Sequence, residues 1–205
     1  MAPSGHSVRP TSDKTRQAVF NALVSRNFVQ DATVVDLYAG SGALGIEALS
    51  RGAARATFVE QDRTAAECIR HNLEHLQMTA GSQVVRSEVL RWLDGTGSRP
   101  FEVDPGAPLL VVADPPYSFI GWHGMLTRLH HRLAPLGVDA LAVLESRGTI
   151  ELPPDWELER EHRYGGATVT FARPVGEGSV DECSADENDS QPENDSQPED
   201  EPSEP

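Results

Sequence analysis

Cysteine is scarce in this 205-residue chain: only Cys68 and Cys183 occur. Cys68 lies in an apolar helical pattern and Cys183 near the C-terminus, so no disulfide framework is built and a reducing compartment is expected. Long hydrophobic runs are lacking too. No apolar stretch approaches the about 18 residues of a membrane span. The opening MAPSGHSVRP has no basic end followed by an apolar segment, which excludes a signal peptide. A cytoplasmic protein is the expectation. Lysine occurs once, at Lys14, against 16 arginines, a bias we ascribe to coding before function. Beyond Arg173 there is no basic residue at all.

What stands there instead is acid. The formal charge of the chain is −15, and 12 of its 32 acids fall between Gly176 and Pro205. Without those, 20 acids face 17 bases, a net of −3. The remainder is close to neutral, which excludes an overall basic nucleic-acid coat while leaving room for a local basic patch. Residues 187–198 read ENDSQPENDSQP, a six-residue unit written twice. So few apolar residues cannot offset the entropy of ordering such a segment. We expect a flexible start over 1–8, one domain over 9–175 and a disordered acidic tail over 176–205. The histidines, among them His71 and His75 one helical turn apart, form no convincing ligand spacing with cysteine, and no metal is expected.

Between those ends the hydrophobic period alternates. Helical spacing over Asp13–Phe28 follows the capping candidates Thr11, Ser12 and Asp13. TVVDLY (33–38) reads as a strand closed by the turn AGSG, and Ala43–Arg51 as a helix ended by Gly52. ATFVE (56–60) is a strand, Thr64–Gln77 a helix, Gln83–Arg86 a short strand and Glu88–Leu93 a helical stretch. A Gly- and Pro-rich loop over 94–107 leads to the buried-type strand LLVVAD (109–114). A helix marked by Trp122, Met125, Leu126, Leu129 and Leu133 and the strand ALAVLES (140–146) come next. Trp156–Tyr164 and Ala167–Arg173 alternate about Gly165-Gly166 as an antiparallel hairpin. Strands interleaved with helices predict an α/β, Rossmann-like fold, a mostly parallel sheet with helices on both faces that binds ligands at the carboxyl ends of its strands.

Two unusual clusters fall at that edge. Gly40, Gly42 and Gly45 match G-x-G-x-x-G, and Glu60 ends the next strand. Glycines let the backbone approach a ligand, and an acid at the second strand end accepts bonds from ribose hydroxyls. The turn alone predicts a nucleoside-containing cofactor of any kind. Asp36 narrows the choice: a carboxylate beside the turn repels a pyrophosphate but attracts an ammonium or sulfonium, and S-adenosylmethionine carries both cations and no phosphate. Asp36 as a simple turn cap is the plainer alternative.

The second cluster is Asp114-Pro115-Pro116-Tyr117, directly after the fourth strand. Two prolines enforce a rigid extended turn whose carbonyls no continuing helix takes up. A carboxylate and a carbonyl there can accept the two N–H bonds of an exocyclic amine, and a ring can stack on its base. A Pro-Pro stop with a packing Tyr is the plainer reading, weakened because both clusters meet at one edge.

With these residues in view, the chain resembles the class I S-adenosylmethionine-dependent amino-methyltransferases carrying (N/D)PP(Y/F). Within them it is similar to the bacterial 16S rRNA guanine-N2 methyltransferase (RsmD-like) family. The stretches that carry the likeness are RPTSDKTRQAVFNAL (9–23), VVDLYAGSGALGIEALSRGA (34–53), FVEQD (58–62), ADPPY (113–117) and YGGATVTF (164–171). The resemblance implies a seven-stranded sheet with an antiparallel last strand. It implies S-adenosyl-L-methionine as cofactor, S-adenosyl-L-homocysteine as product, and methyl transfer to N2 of a guanine. The implied partner is 16S rRNA within an assembled or assembling small ribosomal subunit, met by a monomer. By position, Asp36, Ala39, Gly40 and Gly42 would line the methionine end, Glu60 would hold the ribose, and Gln61 and Glu88 would border the adenine. Asp114, Pro115 and Tyr117 would be catalytic, with Arg9, Arg16 and Pro116 toward the substrate.

Family members also imply a basic hairpin of about 20 residues before the RPT segment, and RNA affinity depends on such phosphate contacts more than the chemistry does. Here eight residues precede Arg9, so either the start lies upstream or this member lacks the arm. Three other activities fit parts of the pattern. A DNA adenine-N6 methyltransferase would use DPPY in the same way. A nicotinamide-dependent oxidoreductase would use the glycine turn but is disfavoured by Asp36. A non-catalytic ribosome-assembly factor would need neither.

Overall fold

The computed structural model describes residues 10–95 and 102–176. The start expected to be flexible (1–8), Arg9 and all but the first residue of the expected acidic tail lie outside the described residues. Helix α1 spans Pro10–Val24. It begins ahead of the capping candidates, because a proline suits the first helical turn, where its missing N–H costs nothing. It ends before Phe28, because Asn27 adopts a left-handed φ of 57°. The N–H groups of Asn27 and Phe28 donate back to Val24 and Leu23, so the last turn closes on itself.

The remaining elements follow the expected order. They are β1 (Thr33–Leu37), α2 (Ala43–Ser50), β2 (Arg55–Glu60), α3 (Arg63–His75), β3 (Ser82–Arg86) and α4 (Val89–Leu93). Then come β4 (Leu109–Ala113), α5 (Trp122–Leu133), β5 (Ala140–Ser146), β6 (Trp156–Tyr164) and β7 (Ala167–Pro174). The sheet order is β3-β2-β1-β4-β5-β7-β6. Strands β1 to β5 pair in parallel, and β7 lies antiparallel between β5 and β6. This is the seven-stranded sheet that the resemblance implied.

Its helices form two layers. On one face Val34, Phe58, Leu110, Val112 and Val143 pack with Phe20 and Leu23 of α1, Ala48 of α2 and Ile69 of α3. On the other, Val35, Leu37, Val111 and Leu144 pack with Leu93 of α4 and Met125, Leu126 and Leu129 of α5. Strands β1 and β4 are buried along their whole length, as strands covered on both faces must be. The sheet starts at β1, builds outward through β2 and β3, and the chain then returns to place β4 on the other side. That reversal opens a crevice between the carboxyl ends of β1 and β4.

Candidate functional site

The crevice receives both motifs. Register pairs Asp36 with Val112 and Leu37 with Ala113, so the glycine turn and Asp114 leave adjacent strands at the same edge. Asp36 is buried, and its Oδ2 accepts a 2.8 Å bond from the Gly45 N–H. The plainer role of Asp36, holding the turn, is therefore fulfilled. That contact engages one oxygen of a carboxylate that can take several donors. Burial pushes the Asp36 carboxyl well above the usual carboxylate range; the Gly45 bond opposes this, and the charges of Asp114 and Glu60 add to it.

Each glycine has its own reason. Gly40 and Gly42 have φ of 55° and 80°, a region that disfavours side chains. At Gly45 the constraint is space: a Cβ would lie 2.4 Å from Cε1 of Phe58. Glu60 ties the turn to β2. Its Oε2 accepts from the Gly40 N–H at 2.8 Å and its Oε1 from the Asp62 N–H at 2.8 Å. The Ala39 N–H donates to Val59 O at 3.1 Å, and Asn72 Nδ2 of α3 donates to Ser41 O at 3.1 Å. Gln61 follows Glu60 and is exposed at the same edge. Glu88 precedes α4 and caps it, accepting from the Leu90 and Arg91 N–H groups at 2.9 and 2.7 Å.

Asp114 and Pro116 are exposed, Pro115 is buried and Tyr117 is half-buried. The Phe119 N–H donates to Pro116 O at 2.8 Å and closes the turn after the prolines. The structure thus brings Asp36, the glycine turn, Glu60 and the DPPY segment to one edge. Arg16 stands apart in its pairings: it contacts Asp13 at 2.9 Å and Glu47 at 3.5 Å. It also lines, with Thr15, Ala113 and Glu145, a cavity of about 20 Å³ beside β4, room for about one water.

Three residues at this edge carry no motif. Glu145 follows Leu144, the register partner of Ala113, and so lies level with Asp114. Tyr38 takes a left-handed φ of 58° and stands 5.3 Å from the Phe119 ring, joining the glycine turn to the DPPY loop. Its hydroxyl is buried with no hydrogen-bond partner among the described residues. Burial first, and then the charge of Glu88, push its pKa up to about 12. Arg147 sits over the Tyr117 ring, 4.5 Å from its centroid. Tyr38 was legible only as a strand residue beside the turn. Nothing in the local sequence links positions 117 and 147.

The donor set can be tested against a cationic nucleoside cofactor. Asp36 and Glu60 are buried carboxylates held by backbone N–H groups, and among the described residues no lysine or arginine contributes to the Asp36 shift. Buried acids without a cation are costly unless a ligand supplies one. The glycine turn admits a ligand that a Cβ would crowd, and the Tyr38 hydroxyl awaits a partner. A sulfonium and an ammonium fit this edge, and a pyrophosphate does not. Among the described residues no group of three or more metal-ligating side chains occurs, and no helix is long and apolar enough to cross a membrane.

The family model described as conserved hypothetical protein 95 matches residues 1–173. YlbH of Bacillus subtilis is 34% identical over 178 residues, 85% of this chain and 92% of that protein. The ribosomal RNA small subunit methyltransferase D of Escherichia coli strain K12 is 33% identical over 185 residues, 87% of this chain and 86% of that protein. The solved structure of Escherichia coli yhhF aligns with a TM-score of 0.67 at 28% identity, over 85% of this chain and 90% of that one.

Proposed function

The chain belongs to the conserved hypothetical protein 95 family, the RsmD-like class I methyltransferases, and from that premise we propose that it methylates ribosomal RNA. Its target in this reading is the exocyclic N2 of a guanine in 16S rRNA, presented by an assembled or assembling small subunit. One observation carries the reading: Asp114-Pro115-Pro116-Tyr117 leaves β4 at the crevice shared with Asp36 and the glycine turn. The chemistry that S-adenosylmethionine supplies when bound is an electrophilic methyl group on a sulfonium.

Asp36 draws the cationic end of the cofactor, Ala39, Gly40 and Gly42 shape the turn around it, and Glu60 holds the ribose. Gln61 and Glu88 border the adenine. The amine of guanine is a poor nucleophile, because its lone pair is delocalised into the ring. Asp114 and the Pro115 carbonyl accept hydrogen bonds from its two N–H groups and favour a more pyramidal nitrogen; the methylated amine gives up one of those protons to water, and S-adenosyl-L-homocysteine is the other product. Tyr117 stacks on the base, which must be flipped or already unpaired. Placing nitrogen and methyl in line supplies much of the acceleration.

The test is tritiated methyl transfer to small subunits from a strain lacking this enzyme, with naked 16S RNA and DNA alongside. Label recovered as N2-methylguanine from rRNA is expected. Label in adenine of DNA would overturn the reading, and so would full turnover by Asp114→Ala. A ribosome-assembly factor would instead bind subunits and transfer no label.

A further inference from the structure

Strands β4 and β5 are parallel neighbours, paired through Ala113 and Leu144. The segments carrying Tyr117 and Arg147 therefore leave the sheet at the same edge. Arg147 is exposed, and its guanidinium carbon lies 4.5 Å from the Tyr117 centroid, well within cation–π range. The backbone beneath it is fixed: the buried Ser146 hydroxyl donates across Arg147 to Gly148 O at 2.5 Å.

The charge of Arg147 is out of keeping with its surroundings. Asp36, Glu60, Asp114 and Glu145 all sit at the carboxyl ends of adjacent strands. Among the described residues no acid forms a salt bridge with Arg147; Arg70, Arg86, Arg91, Arg160 and Arg163 share that lack, but Arg147 rests on the Tyr117 ring at the acidic edge, whereas Arg16, Arg51, Arg55, Arg63, Arg128 and Arg173 are paired with acids. A guanidinium can rest its planar face on a ring while its N–H edge grips a phosphate, which an ammonium cannot do. A substrate reaching Asp114 brings phosphates into this acidic rim.

We propose that Arg147 is a substrate-positioning residue, holding the Tyr117 ring from behind and taking a backbone phosphate at the target nucleotide. This rests on the rRNA-methylation reading above. It gives the edge a local phosphate contact on a chain whose described part carries no basic coat. It also fixes the stacking platform before the base arrives.

The experiment compares wild type with Arg147→Ala, Arg147→Lys and Arg147→Glu on small subunits. It measures KM, kcat, the salt dependence of binding and S-adenosylmethionine affinity. Arg147→Ala is expected to raise KM about tenfold, to lower kcat severalfold by leaving the Tyr117 ring unbraced, and to lower the log–log salt slope by about one, the signature of one lost phosphate contact. Arg147→Glu goes further in the same direction. Arg147→Lys restores the salt slope but not kcat, since an ammonium replaces the charge without bracing the ring. Cofactor affinity stays at the wild-type value in all three, which separates the effect from misfolding. Wild-type KM and salt slope in Arg147→Ala would overturn the proposal while leaving the function standing. Wild-type protein that transfers no methyl group to rRNA would remove both.

Discussion

At the scale of single residues, Asp36 ties stability and binding together with opposite signs. Its carboxyl is pushed above its ordinary value of 3.8, chiefly by burial. A carboxyl raised on folding lends its full stability below the ordinary value and withdraws it as pH climbs through the raised one. Asp36→Asn keeps an acceptor for the Gly45 N–H and has no charge to bury. We expect it to melt above wild type at neutral pH, by about 2–4 °C for each kcal/mol gained, with the two curves converging in acid. The same variant loses the attraction for a cation, so S-adenosylmethionine affinity falls by about tenfold or more. Scanning calorimetry across pH and isothermal titration check the two halves. Asp114→Ala behaves differently: turnover falls by about 100-fold or more, while circular dichroism and cofactor affinity stay near wild type. Gly42→Val forces a β-branched side chain into φ of 80° and against Ile69, 3.2 Å away. Cofactor binding by that variant is expected to disappear in the same titration.

At the scale of elements, most helices and strands were legible and their ends were not. Continuous apolar runs such as LLVVA mark strands buried on both faces, and no other element competes for them. Helix ends depend on one residue turning left-handed, which the apolar period does not register. Gly52 signals its turn in the sequence, and there the expected end of α2 was one residue off. Asn27 and Gln77 make the same turn with φ of 57° and give weaker signals, so α1 and α3 ended earlier than their periods suggested. Met78 donates to Leu73 O at 2.8 Å and Gln77 to Glu74 O at 3.1 Å, completing the motif after α3. A glutamine there bears a strain that glycine avoids. Gln77→Gly is expected to stabilise the protein by about 0.5–1 kcal/mol, read as a rise in the urea midpoint at unchanged slope. The motifs of the candidate site were legible because each is local. Tyr38, Glu145 and Arg147 were not, because only the sheet register brings them to the DPPY segment.

At the scale of the whole molecule, charge is divided unevenly along the chain. Ending the chain at Gly176 removes 12 acids and no base, changing the net charge from −15 to −3. Among the described residues, two helical layers pack on the sheet. The shortened protein is therefore expected to melt within about 2 °C of the full chain, the shift that less than about 1 kcal/mol would cause. Its affinity for rRNA should rise at low salt and converge with that of the full chain as salt screens the difference; filter binding at several salt concentrations would show this. The antiparallel β7 decides where that end departs. It begins beside Ser146 at the carboxyl edge and runs back past Ala142. Beyond it Val175 is bound by Asp155 O and His130 at the amino edge. The length of β5 separates the two edges, about 20 Å at the usual rise per residue. A bead or sensor chip that holds the chain ended at Gly176 by a tag at that point would thus grip the far side of the sheet, and the immobilised sample would turn its working edge outward to ribosomal particles.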